Sequence, residues 1–371
     1  MNRDIYKYLY AVLLLSLALL PTGCISDGEG LCPEPDNSAT SYITFRVIAP
    51  KTMAEGTATR TVPEVDNADN WNDNYLPEEG VDFDNALIGN QFNVFITSNN
   101  GTQITRLQVL LHNTTDSNDK VEYSFSGKIP QTDVENLKTH SDARIHIVAN
   151  SGSYIPQLDG GLSFSHAGQP SEAFTAIPMW GVGTFNFTTL KPGNNDVGEI
   201  WLLRAMAKVE IEIASSTVTD PNLITSLTSA SVKNANTQGY VLPQEWSKVD
   251  YTKALSLENS LRALPSVNGI SGMTPADNKI VFYLPETANT DGTTEITLNY
   301  TTSLIGNESR SDVIKFAKYD NNGTPSTPNY DIVRNHLYRF EVSLSGSTQQ
   351  FVIKYTVCPW EEHTVTPPTF D

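Results

Sequence analysis

The chain has 371 residues, with 24 Lys plus Arg against 42 Asp plus Glu and a formal net charge of -18. That length is comfortable for two domains, each able to bury a sizeable core without disulfides. So acidic a surface repels phosphate backbones, which excludes nucleic acid as a natural partner, and it suits solubility at a cell exterior.

The first residues read as an export signal: "MNRDIYKYLY" supplies Arg3 and Lys7, "AVLLLSLALL" is the apolar core and "PTGC" ends it. The core is too short for a stable membrane anchor. Thr22 and Gly23 lead into Cys24 as in a lipobox, with Pro21 where leucine is usual and Leu20 one position further out. Residues 1–23 are therefore expected to leave as a lipoprotein signal peptide. Cys24 would then carry a diacylglycerol, whose buried methylenes each contribute ~0.8 kcal/mol to membrane attachment. The alternative is an ordinary cleaved secretory signal. Cys32 and Cys358 remain; the compartment permits pairing, but they lie near opposite chain ends, so a disulfide and two unpaired thiols both stay open.

"SYITFRVIAP" alternates, with Ile43, Phe45 and Val47 on one face and Tyr42, Thr44 and Arg46 on the other. This is the period of a half-buried strand. Residues 50–85 then lose all apolar rhythm and read as an exposed loop rich in Asp, Asn, Glu, Thr and Pro. One arginine, Arg60, stands in it. Exposed loops are where proteases cut. A cut at Arg60 would free the preceding strand and leave a groove with unpaired backbone groups, a template for a strand from another molecule.

Further period-two runs follow: "NQFNVFITSN", "RLQVLLHN", "RIHIVANS", "AKVEIEI", "KIVFYLPE", "EITLNYTTS", "LYRFEVSL" and "FVIKYTV". In "AKVEIEI" the apolar Ala207, Val209, Ile211 and Ile213 oppose Lys208, Glu210 and Glu212, which are expected to face water. In the last run Phe351, Ile353, Tyr355 and Val357 share a face. Helical signals are short, "TDVENLKTH" and "SLENSLRAL". The fold class expected is all-β, two tandem β-sandwich domains with short helices: residues 24–203, and residues 204–371 ending in a terminal strand.

No motif supplies catalysis. His112, His140, His146, His166, His336 and His363 are scattered, and neither HExxH nor G-x-S-x-G occurs. "HSDARIH" brings His140, Asp142 and His146 close in sequence, but strand residues of this kind are usually plain surface. "DNADNWND" misses the EF-hand spacing and glycine. No cofactor is expected. Of the tryptophans, Trp180, Trp201 and Trp360 adjoin strong strands and are expected to pack. Exposure of Trp71, Trp180 or Trp246 in one groove would instead point to a glycan-binding surface.

Six stretches, "RIHIVANSG", "AIPMWGVGTF", "LLRAMAKVEIEI", "IVFYLPET", "RNHLYRFEVSL" and "FVIKYTVCPWEEHTV", spread over most of the mature chain. On these, with the lipobox, the chain resembles the fimbrillins, the type V pilin subunits of Bacteroidia. The resemblance implies export as an outer-membrane lipoprotein with two sandwich domains of transthyretin-like type. It also implies an arginine-specific protease that removes the N-terminal strand, and a C-terminal donor strand from the next subunit that fills the groove. Here cleavage maps to Arg60, with Arg46 as the competing position. The donor maps to Phe351, Ile353, Tyr355 and Val357. Partners would be other pilin subunits, the outer membrane through the lipid, the protease, and a host or bacterial surface ligand for adhesion. A Cys32–Cys358 disulfide would conflict with strand removal. The competing readings are an uncleaved anchor or tip subunit, or a monomeric glycan-binding lipoprotein.

Overall fold

The computed structural model describes residues 40–50, 82–88, 91–116, 120–151, 163–243, 267–289, 291–304, 306–319, 325–329 and 331–359. The described residues belong to one compact unit. Among them the helices are brief, α1 (Asp82–Asn85) and α2 (Val134–Leu137), with one 3-10 turn (Phe187–Thr189); strands dominate and the protein is all-β.

The strands up to residue 204, except one short ribbon strand, build one eight-stranded sheet. Its order is β8 (Gly193–Trp201), β1 (Ser41–Pro50), β4 (Lys120–Lys128), β3 (Gln103–Asp116), β2 (Phe92–Thr97), β5 (Ala143–Ala149), β7 (Met179–Phe185) and β9 (Leu203–Arg204). The sheet curls until β7 lies against β8. A side chain at Gly181 would run into the Trp201 carbonyl oxygen, so glycine is what permits this approach. Inside the curl sit Ile43, Phe45, Val94, Phe125, Ile145 and Ile200.

From residue 206 on, two four-stranded sheets pack face to face. One runs β14 (Lys279–Pro285), β10 (Met206–Ile213), β19 (His336–Leu344), β20 (Phe351–Pro359). The other runs β13 (Val267–Met273), β11 (Ile224–Asn236), β15 (Glu295–Thr302), β16 (Ser309–Lys315). Their inward residues, among them Val209, Phe282 and Phe340 from the first and Val232, Leu298 and Tyr300 from the second, form one sandwich core. Short ribbons pair β12 (Gly239–Tyr240) with β6 (Ser163–Phe164), and β17 (Ala317–Tyr319) with β18 (Pro325–Asn329).

The alternation in "LYRFEVSL" behaves as its pattern predicts: Tyr338, Phe340, Val342 and Leu344 are buried, and Arg339, Glu341 and Ser343 are half-buried. "AKVEIEI" does not. Lys208 and Glu210 are buried as well as their apolar neighbours: Asp84 of α1 meets Lys208, and Arg339 and Lys279 from the flanking strands meet Glu210. "RIHIVANS" is buried on both faces too, His146 included.

Phe45 is 2% exposed and stacks on Phe125 at a centroid distance of 5.5 Å. Phe45→Ala should cost about 3–5 kcal/mol, the usual range for emptying a buried aromatic site. Urea denaturation of the intact chain checks this, and a loss under 1 kcal/mol would mean that β1 contributes little to the core.

Candidate functional site

β1 is an interior strand of its sheet. It runs antiparallel to β4, with Phe45 opposite Phe125, and parallel to β8, with Phe45 opposite Gly198. Both backbone edges are therefore engaged over most of its length. Ile43, Phe45 and Val47 point into the core at 0%, 2% and 0% exposure. On the opposite face Arg46 lies between Glu122 (3.6 Å) and Glu199 (3.5 Å). At 41% side-chain exposure such pairs add little stability, but they hold the arginine within a paired strand. β1 fills this slot in one direction, with three inward apolar side chains at alternate positions.

β20 has the opposite character. Among the described residues it is the outer strand of its sheet and has one hydrogen-bonded neighbour, β19, in a register from His336↔Pro359 to Leu344↔Phe351. Ile353 is 4% exposed, and Phe351 and Tyr355 pack against the sandwich core from its margin. Phe351 stacks on Tyr300 at 5.6 Å, and Tyr355 meets Tyr319 at 5.7 Å. Lys354 is exposed. Detaching β20 breaks one ladder, whereas detaching β1 breaks two.

The inward residues of β1 have a counterpart in the sequence of β20. "ITFRV" (residues 43–47) and "IKYTV" (residues 353–357) carry Ile, an aromatic ring and Val at matching alternate positions in the same chain direction. Period-two reading found both strands and both faces, and the structure adds that the β1 face is the buried one.

A second constellation was missed by the sequence reading. Asp84 of α1 is fully buried and accepts from Lys208 Nζ at 2.9 Å and from Tyr283 Oη at 2.5 Å. Lys208 also meets Glu210 at 3.1 Å, and Glu210 meets Arg339 at 2.8 Å and Lys279 at 3.1 Å. Burial alone would raise the Glu210 carboxyl, but Lys208, Arg339 and Lys279 outweigh it and hold the group at about 2. Burial likewise opposes charge on Lys208, and Asp84 and Glu210 overcome it to raise the ammonium above its ordinary value. The only sequence signals were an aspartate at the end of a polar stretch and charges on an otherwise regular strand.

The other candidate residues are dispersed. His146 is fully buried, stacked between Phe95 (4.9 Å) and Trp180 (5.9 Å), with Nε2 3.0 Å from Thr97 Oγ1. Burial, helped by the Arg144 charge, pushes it down to about 3. It is a core residue, which corrects the expectation of a surface position. His140 is half-buried and Asp142 is exposed, bonded to Asn99. Among the described residues no group of three or more His, Cys, Asp or Glu side chains is placed to hold a metal. Trp180 is 1% exposed and Trp201 is half-buried. Cys24, Cys32, Arg60, Trp71, Trp246 and Trp360 lie outside the described residues, and Cys358 and Val357 are described only as backbone positions of β20. The loop expected over residues 50–85 ends earlier than predicted, since residues 82–85 form α1.

No family model matches the sequence, and no curated protein matches it. Among solved structures, the chain is similar to the tip fimbrial protein Mfa3 from Porphyromonas gingivalis with a C-terminal truncation. That match has 13% identity and a TM-score of 0.44, and covers 86% of this chain and 100% of that one. A candidate cell adhesion protein from Parabacteroides distasonis gives 14% identity and a TM-score of 0.46, covering 87% and 98%. A candidate polysaccharide-binding protein from Bacteroides thetaiotaomicron gives 11% identity and a TM-score of 0.36, covering 88% and 99%. None of the three is described as an enzyme. At these identities and TM-scores the likeness carries no functional weight, and the reading below rests on the chain's own residues.

Proposed function

We propose that this chain is a non-catalytic structural subunit of a cell-surface fimbria, supporting adhesion and assembled by β-strand exchange. In this reading it is exported as a lipoprotein anchored through Cys24 to the outer membrane. An arginine-specific protease cuts at Arg60, β1 leaves its slot, and β20 of a second subunit enters. The observation that carries the reading is the match between the inward residues of β1, Ile43, Phe45 and Val47, and the alternate residues Ile353, Tyr355 and Val357 in the sequence of β20. It equips a second copy of this chain to refill the slot in the direction β1 ran. The edge position of β20 supports it, since an edge strand can be given up without opening a sheet. Arg46 is the less suitable cleavage point, because a protease needs extended, unpaired backbone and Arg46 is paired on both sides. The burial of Trp180 counts against a sugar-stacking groove built on that residue.

Limited digestion of the purified, lipid-free chain with an arginine-specific protease tests the reading by intact mass and native sizing. The expected result is one early cut after Arg60, loss of the N-terminal fragment and a ladder of oligomers. A chain cut there that keeps both fragments and stays monomeric would instead be an anchor, a tip or a monomeric adhesin.

A further inference from the structure

The eight-stranded sheet and the β10-containing sheet are tied together at several points, and one tie begins directly at α1. Residues 82–88 are pinned at both ends. At the first end Asp84 is held by Lys208 of β10 and Tyr283 of β14, and Phe83 packs on Tyr283 at 5.2 Å, while Arg204 Nε, from β9 of the eight-stranded sheet, donates to the Asp84 carbonyl at 2.9 Å. At the other end Asn150, which follows β5, reaches back. Its Oδ1 accepts from the Ile88 amide at 2.9 Å, and its Nδ2 donates to the Ala86 carbonyl at 2.7 Å and to the Ile177 carbonyl at 2.8 Å. Asn150 has a φ of 57°, a left-handed conformation that asparagine tolerates better than most residues. Seven residues thus span from the sheet holding the β1 slot to the sheet holding β20.

We propose that residues 82–88 are a strut fastening the two halves into one mechanical body, with Asp84 as its anchoring residue. The fastening follows from the geometry alone. Its use rests on the strand-exchange reading: in such a polymer, pull enters at the β1 slot and leaves through β20, so tension must cross between these sheets. The strut also sets a limit to processing. A cut anywhere before residue 82 leaves it on the body, because its fixings lie downstream.

Other ties share the joint. Gly168 exchanges two backbone hydrogen bonds with Tyr283, at 2.8 and 2.9 Å, and Arg334 grips the Val241 and Tyr240 carbonyls at 2.6 and 2.9 Å. Removal of Asp84 is therefore expected to loosen the strut and spare the sheets. Lys208 keeps Glu210 at 3.1 Å as its counter-ion, so no orphaned ammonium is left in the sheet.

Hydrogen exchange on the full-length, uncleaved monomer tests this independently of any polymer. In Asp84→Ala the amides of residues 82–88 should exchange about 100-fold faster or more, while those of β5 and β19 change by less than about tenfold. Asp84→Asn, which keeps the shape and loses the charge, should give an intermediate acceleration and serves if the alanine variant does not fold. Unchanged protection of residues 82–88, or equal acceleration through all strands, overturns the strut. Because no variant here touches Arg60, β1 or β20, failure of the strut leaves the strand-exchange reading standing, and the reverse also holds.

Discussion

A synthetic peptide spanning Phe351–Pro359 should bind the chain only after β1 has been removed, and a peptide with serine at Ile353, Tyr355 and Val357 should not bind. The slot buries Ile43, Phe45 and Val47 almost completely. Refilling it with three comparable side chains contributes about 1.5–3 kcal/mol each, so removing all three should weaken binding at least about 1,000-fold. The backbone ladders alone, at roughly 1 kcal/mol net per hydrogen bond, form with any sequence and give no selectivity. One detail sharpens the test. Where Phe45 sits on Phe125, the donor offers Tyr355, whose hydroxyl would enter an apolar site. Tyr355→Phe in the peptide should therefore tighten binding severalfold. Calorimetry on cleaved and uncleaved protein measures all of this. Equal binding of the serine peptide, or binding to uncleaved protein, would sink the slot assignment.

The second large effect is acid lability between about pH 6.5 and 4. His146 and His336 are fully buried, and burial lowers them to about 3 and about 4; for His336 the Arg334 carbonyl offsets part of the shift. In the unfolded chain both return to about 6.5. Across this window the unfolded state binds more protons than the folded one, so stability falls as pH falls. Each histidine costs about 1.4 kcal/mol per pH unit, hence about 2.7 for the pair and roughly 5 between pH 6 and 4. That is comparable to the whole stability of many domains. Below about 4.5 Glu210, whose folded carboxyl sits at about 2, adds loss of the same sign. Urea midpoints at pH 6, 5 and 4 measure the slope, and His146→Phe, which preserves the stack between Phe95 and Trp180, should roughly halve it. Equal stability at pH 6 and pH 4 would show that the two imidazoles take up protons without unfolding the chain.

The strands were legible in the sequence because a half-buried strand writes its environment into a period of two. "SYITFRVIAP" and "LYRFEVSL" are the clearest cases. What could not be read were pairings decided by distant chain. Lys208 and Glu210 look like the wet face of β10 in any local window, yet Asp84, from more than a hundred residues upstream, meets Lys208, and Arg339, from more than a hundred residues downstream, meets Glu210. His146 sits on a strand covered on both faces, and nothing local distinguishes that from one wet face. The direction of β1 between β4 and β8 was also hidden, since alternation reports which side is dry and says nothing of neighbours. Position therefore mattered more than composition: a similar triplet, Ile, an aromatic ring and Val, lies in an interior strand at one end of the chain and on a sheet edge at the other.

The pairing of Ser41 with Gly193 also has a consequence for folding kinetics. β1 leaves the ribosome before most of its sheet exists, and its parallel neighbour follows about 150 residues later. Closing so long a loop is entropically slow, so β1 is expected to be among the last strands to settle. Throughout that wait an apolar strand with free edges must be shielded from its copies on neighbouring chains.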